Sequence, residues 1–186
     1  MMNNKGFTLI ELIAIVVILG VLMLITVPNM AGIIKNNKEI AATEDVNRMV
    51  NNAKARFNVK SAKYPANENS CVVLSMAFIN TNDDLKKGIN GGKYLQNESF
   101  IVVRKDSKDS GVYEYNFYVR IVEEFEGEKF EIPLVEAKKF QKDPKGNMPN
   151  LAPQVDIDIN NIDAETLRAK LSEMQLDCGS IDRIYT

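Results

Sequence analysis

The chain has 186 residues, a net charge of −2, two cysteines, no histidine and no tryptophan. That length holds one globular domain with its own core plus a separate N-terminal segment. The near-neutral balance gives no basis for a dedicated nucleic-acid surface, and the missing histidine removes the commonest general base and the usual zinc ligand.

Met1 to Gly6 is a short basic start. The octet Lys5-Gly6-Phe7-Thr8-Leu9-Ile10-Glu11-Leu12 then leads into an apolar run that ends at Pro28. From Leu12 to Val27 only Gly20 and Thr26 are not strongly apolar. The run exceeds the roughly 7–15-residue apolar core of a secretory signal, and Pro28-Asn29-Met30 is a poor cleavage site. As a helix rising ~1.5 Å per residue, Phe7 to Val27 spans ~30 Å, enough for a bilayer. A carboxylate at Glu11 inside such a helix costs on the order of 2.5–3.5 kcal/mol, which marks it as functional rather than incidental.

Phe7 to about Val59 reads as one helix in two halves. The first is apolar on all sides. The second is amphipathic: Ile33, Ile40, Val46, Val50, Ala53 and Phe57 recur at helical spacing, and Met49 and Ile34 widen the stripe. Lys35, Lys38, Glu39, Glu44, Asp45 and Arg48 fall on the other faces. Gly20 and Pro28 are weak points of the helix, because glycine lacks intrinsic helix propensity and proline removes a backbone donor.

Tyr64-Pro65 and the polar run to Ser70 end the helix in a loop. Cys71 to Ile79 is an apolar block with no clear period. Asp83 to Lys87 is expected to form a single helical turn, and Asn90-Gly91-Gly92 a tight turn. Ser99 to Arg104, Val112 to Val122 and Lys129 to Val135 read as strands, joined by a charged turn over Lys105 to Gly111 and by Glu126-Gly127-Glu128. The middle strand places Tyr113, Tyr115, Phe117, Val119 and Ile121 on one face, with Glu114, Asn116, Tyr118 and Arg120 on the other. Together they predict an antiparallel meander with one apolar face for the helix stripe. Lys142 to Pro153 is expected to be loop. Lys138-Lys139 and Lys142-Lys145 make a small basic patch with only Phe140 between them, which reads as solvated surface. Asp156 to Asn160 alternates like a short half-buried strand. As a calcium loop it fails, with Asn161 where glycine is needed and Leu167 where a glutamate is needed. Asp163 is placed as the N-cap of a helix over Ala164 to Gln175, with Leu167, Leu171 and Met174 inward, and a tail with Cys178 follows. The fold class is α+β: a long N-terminal helix packed on a small antiparallel sheet.

The leader Met1 to Gly6, the aromatic Phe7 and the Glu11 five places into an apolar helix resemble the processing site of type IV prepilins. The resemblance covers roughly the first 30 residues; beyond them only the layout is similar. It implies a leader over 1–6, a transmembrane or filament-core half over 7–28, an amphipathic half over 29–60 and a pilin-like head over 61–186. It further implies cleavage between Gly6 and Phe7 by prepilin peptidase and N-methylation of Phe7. The Phe7 ammonium and Glu11 of neighbouring subunits would then neutralise each other, setting axial register; the alternative is a protonated Glu11 that tolerates lipid. In that family a glycine and a proline at the places of Gly20 and Pro28 frame a stretch that melts on assembly; the alternative is a static kink. The head would lie outside the cytoplasm, where Cys71 and Cys178 either pair, as the family often does near its C-terminus, or stay as two buried thiols.

The function expected is a structural subunit of a type IV pilus-like surface filament, anchored in the cytoplasmic membrane before assembly and carrying adhesion or motility afterwards. Its partners would be identical or related subunits, the peptidase, and the assembly platform and ATPase. No enzymatic activity, metal, cofactor or nucleic-acid partner is expected: without histidine there is no Ser-His or Cys-His pairing, and no nucleotide-binding fingerprint occurs. Two alternatives share the residues: a pseudopilin of a type II secretion or competence apparatus, and a monomeric membrane-anchored binding domain.

Overall fold

The computed structural model describes residues 8–80, 83–85, 87–108, 111–145, 150–151 and 155–186, with the backbone alone at 24–31, 150 and 151. The chain divides into two compact units, Met1–Lys38 and Glu39–Thr186. The division falls inside one helix, α1 (Leu9–Asn58).

In the first unit every described side chain of α1 from Thr8 to Met23 is exposed. The helix runs through Gly20 and Pro28 without a break in its assignment. Among the described residues no helix is long and apolar enough to cross a membrane.

In the second unit α1 buries Ala42, Val46, Met49, Val50, Ala53 and Phe57. Five of these keep the expected stripe or its widening; Ala42 is new. Ile33, Ile34 and Ile40 do not join them and stay exposed. Glu39, expected on an outer face, is buried, and its Oε1 has no hydrogen-bond partner among the described residues. Such an orphan costs about 1–3 kcal/mol. The helix ends at Asn58; just beyond it Lys60 has a left-handed φ of 59°, and the N–H groups of Ser61 and Ala62 donate to the Arg56 carbonyl. This closes off a carbonyl that the helix end would leave unpaired.

The apolar block resolves into β1 (Ser70–Ser75) and a single turn, α2 (Met76–Ile79), capped by the Ser75 hydroxyl accepting from Phe78 N–H. Residues 83–85 are not helical: Asp83 has φ 54°, and Leu85 N–H donates to the Asn80 side chain instead of to a helical carbonyl. The Asn90-Gly91-Gly92 turn forms as expected, with Gly91 at φ +93°. A Cβ at Gly92 would lie 2.1 Å from the Glu124 carbonyl oxygen, so only glycine fits. Buried Glu123 accepts from Asn90 N–H at 2.9 Å and pins this turn.

Then come β2 (Lys93–Tyr94), β3 (Phe100–Lys108), β4 (Val112–Phe125) and β5 (Glu128–Glu136). The expected charged turn over Lys105–Gly111 is too long, because Lys105 to Lys108 continue β3 in register with Tyr115 to Val112. Phe140 is fully buried in α3 (Ala137–Lys142), and of the basic patch Lys138 and Lys139 pair with Glu114 and Glu136. The loop after it contains β6 (Asn150–Leu151), paired with β5. Ile157 and Ile159 are buried as their alternation required, but on an extended segment and a 3-10 turn (Ile159–Asn161) rather than a strand. Asp163 caps α4 (Ala164–Glu173), accepting from the N–H groups of Glu165 and Thr166, and the hydroxyl of Thr166 holds the carboxyl below its usual range. The tail forms β7 (Ser180–Tyr185).

The sheet has seven strands in the order β6-β5-β4-β3-β1-β7, with β2 paired to β4. It is mixed rather than antiparallel, because β7 runs parallel to β1. Both faces are covered. Val72, Leu74, Ile101, Val103, Val119 and Ile121 pack with the α1 stripe on one side. Val73, Phe100 and Val102 pack with Leu167, Leu171, Ile157 and Ile159 on the other. Each fully buried aliphatic side chain contributes about 1.5–3 kcal/mol relative to exposure. Cys71 and Cys178 are bonded on that second side and tie β1 to the chain just before β7.

Arg120, placed on the polar face by its alternation, is fully buried. Its guanidinium donates to Glu131 at 2.6 Å and to the carbonyls of Glu98 and Val155 at 3.2 and 2.6 Å. It is tolerated because every direction it points has an acceptor. At the α1 interface Tyr94 donates its hydroxyl to Asp45, and burial pushes both groups upward.

Candidate functional site

The start of α1 carries the residue that sequence reasoning singled out. Thr8 stands before Leu9, the first helical residue, and Leu12 N–H donates to the Thr8 carbonyl at 3.2 Å. Thr8 donates to Glu11 Oε2 twice, from its backbone N–H at 2.8 Å and from its hydroxyl at 2.9 Å. Glu11 N–H donates back to the Thr8 hydroxyl at 3.4 Å. This is a capping box: side chains of a helix lean toward its N-terminus, so a glutamate three places after a threonine reaches the threonine's free N–H.

The consequence is positional. The Glu11 carboxylate is held at the positive end of the helix dipole instead of sweeping through the apolar surface. Both bonds fall on one oxygen, and Oε1 accepts nothing among the described residues. Gly6 and Phe7, the expected processing pair, lie outside the described residues. Thr8 was not singled out from the sequence, although the Thr-x-x-Glu spacing before an apolar run is the signature of such a cap.

Around the site the surface is apolar. Leu9, Ile10 and Leu12 are 79%, 76% and 59% exposed, and the exposure continues to Met23. A contiguous apolar surface of this length marks a membrane or protein contact. Gly20 lies within it, and an added Cβ there would meet nothing within 4 Å. Packing inside this chain therefore gives no reason for glycine at that place. The Cys71–Cys178 bond belongs to the second unit and has no part in this site.

Residues 1–27 match the family model for the prokaryotic N-terminal methylation motif. The chain carries a class III leader of the type IV prepilin kind. This supports a type IV pilin-like or pseudopilin protein, and it implies assembly with related subunits and handling by the prepilin-processing machinery. The α+β fold is compatible with that class. No curated protein matches the chain, and no solved structure does.

Proposed function

We propose that this chain is a structural subunit of a type IV pilus-like surface filament. It is cut between Gly6 and Phe7 by prepilin peptidase, N-methylated at Phe7, and polymerised through its N-terminal helix. The observation that carries this is the methylation motif over 1–27 followed by a helix whose described side chains are exposed as far as Met23. Helices with such a surface need lipid before assembly and one another after it. Glu11, steadied by Thr8, is the register element: a buried carboxylate left without a partner is costly, so positions that bring a neighbour's Phe7 ammonium to it are selected. No catalytic or cofactor role is assigned to the head.

N-terminal mass spectrometry on protein sheared from cells tests this reading. The expected product begins at N-methylated Phe7 and is found in the sheared fraction. An intact Met1 confined to membranes would overturn it in favour of a plain anchor. Glu11→Ala should leave the protein level unchanged and lower the sheared fraction at least tenfold.

A further inference from the structure

Three aromatic rings in the second unit join the end of α1 to β4. Phe57 and Tyr64 are stacked, with ring centroids 4.0 Å apart and 14° between their planes. Tyr64 then meets Tyr115 at 4.4 Å and 31°. The two phenols come from distant parts of the chain. Tyr64 lies in the connection between α1 and β1, and Tyr115 lies on β4, packed against the core on the α1 side of the sheet.

Stacking accounts for these rings but not for their hydroxyls, since Phe57 fills its place in the column without one. A covered phenol usually finds a hydrogen-bond partner. Tyr94 has Asp45, and the Tyr185 hydroxyl accepts from the N–H of Lys63. Among the described residues the hydroxyls of Tyr64 and Tyr115 have no such partner. Tyr64 is 37% exposed, so a small oxidant reaches it, and Tyr115 lies half-buried against it. Loss of one electron and one proton from a phenol places radical density on the ring carbons next to the one that bears oxygen. The centroids of two directly bonded phenyl rings are separated by a similar distance to those of Tyr64 and Tyr115. Joining them therefore calls for the rings to turn rather than for either backbone to move.

We propose that Tyr64 and Tyr115 form an oxidative modification site, at which peroxide joins the two rings by a carbon–carbon bond between one Cε atom of each. Each phenol gives up one electron and one proton, and the two radicals couple. The hydrogens on the joined carbons then move to the oxygens and restore both phenols. One peroxide molecule takes up the two electrons and two protons and leaves as two waters. The product ties the connection after α1 to β4, as the Cys71–Cys178 bond ties β1 to the chain before β7. A covalent tie between distant positions restricts the unfolded chain and so favours the fold. The site belongs to the second unit alone and does not depend on the filament reading.

The test uses the full chain in detergent micelles, treated with hydrogen peroxide and a soluble haem catalyst. Products are read by peptide mass spectrometry and by the fluorescence of joined phenols. Tyr113 is the internal control, because at 52% it is more exposed than Tyr64. The expected main product is a single chain lighter by two hydrogens, with the Tyr64 and Tyr115 peptides joined, at least tenfold over any product containing Tyr113. Tyr64→Phe and Tyr115→Phe should each abolish it, and Tyr113→Phe should leave it within twofold of the parent. Phenylalanine keeps the ring, and an unchanged thermal midpoint before treatment separates loss of the phenol from loss of the fold. Products dominated by Tyr113, chains joined to one another, or no joined phenol at all would overturn the site.

Discussion

The two parts of α1 are built from similar residues and meet opposite fates. In the first unit the described apolar side chains from Leu9 to Met23 are all exposed. In the second, Val46, Met49, Ala53 and Phe57 are covered by the sheet. An all-round apolar surface has no preferred face, so no single sheet can cover it, whereas a stripe presents one face to one partner. The head is therefore complete within the chain. The apolar segment is left uncovered among the described residues, and under the proposed filament reading lipid or other helices would cover it.

The sharpest way to break this contrast is to weaken the head alone. Replacing Cys71 and Cys178 by Ala opens a bridge spanning 107 positions. The expected loss is about 2–5 kcal/mol, read as a lowered thermal midpoint of the head with unchanged N-terminal processing. Next in size is a paired truncation. Met49→Ala removes a fully buried side chain and should cost the head about 2–5 kcal/mol by chemical denaturation. Ile18→Ala, on the exposed segment, should leave the same midpoint within ~0.5 kcal/mol while reducing membrane retention or assembly. Equal effects of the two on head stability would erase the distinction between the parts.

Gly20→Ala addresses the apolar segment from the other side. Since a Cβ there meets nothing within the chain, the isolated helix should gain about 1 kcal/mol, visible as greater helicity in detergent micelles. A simultaneous fall in the sheared fraction would place the glycine's role in assembly, either through close approach of a neighbour or through local melting. The smallest effect concerns the head surface. Glu114 is held down to about 2 by hydrogen bonds from Lys108 and Lys138. A carboxyl lowered on folding supports the fold above its ordinary value of 4.5 and loses that support as pH falls through about 2. Glu114→Gln should flatten the acid limb of the stability curve slightly and leave neutral pH nearly unchanged.

The long helix, the Asp163 cap, the Asn90-Gly91-Gly92 and Glu126-Gly127 turns and the face assignment of β4 were legible because each depends on neighbours a few residues away. Local period and capping chemistry decide them. The Glu11 site was legible too, and even Thr8 lay within reach, since a capping box is a four-residue pattern. The limits of the stripe were not. Ile33, Ile34 and Ile40 fit its apolar character as well as Val50 does, but the buried apolar side chains begin at Ala42. Likewise nothing local distinguishes Lys105 to Lys108 as strand from turn until Tyr113 and Tyr115 stand opposite.

The sequence alone determined that residues 1–27 carry an N-terminal methylation motif, that an apolar and then amphipathic helix runs on from it, and that an α+β unit follows. Those properties are written in residue type and spacing along the chain. Only the tertiary structure decided that β7 returns parallel to β1, that both sheet faces are buried, that Cys71 meets Cys178, and that Arg120 is a core residue held by Glu131 and two carbonyls. Each of these joins residues distant in sequence, and their energies depend on a partner's position rather than on any local preference of the backbone.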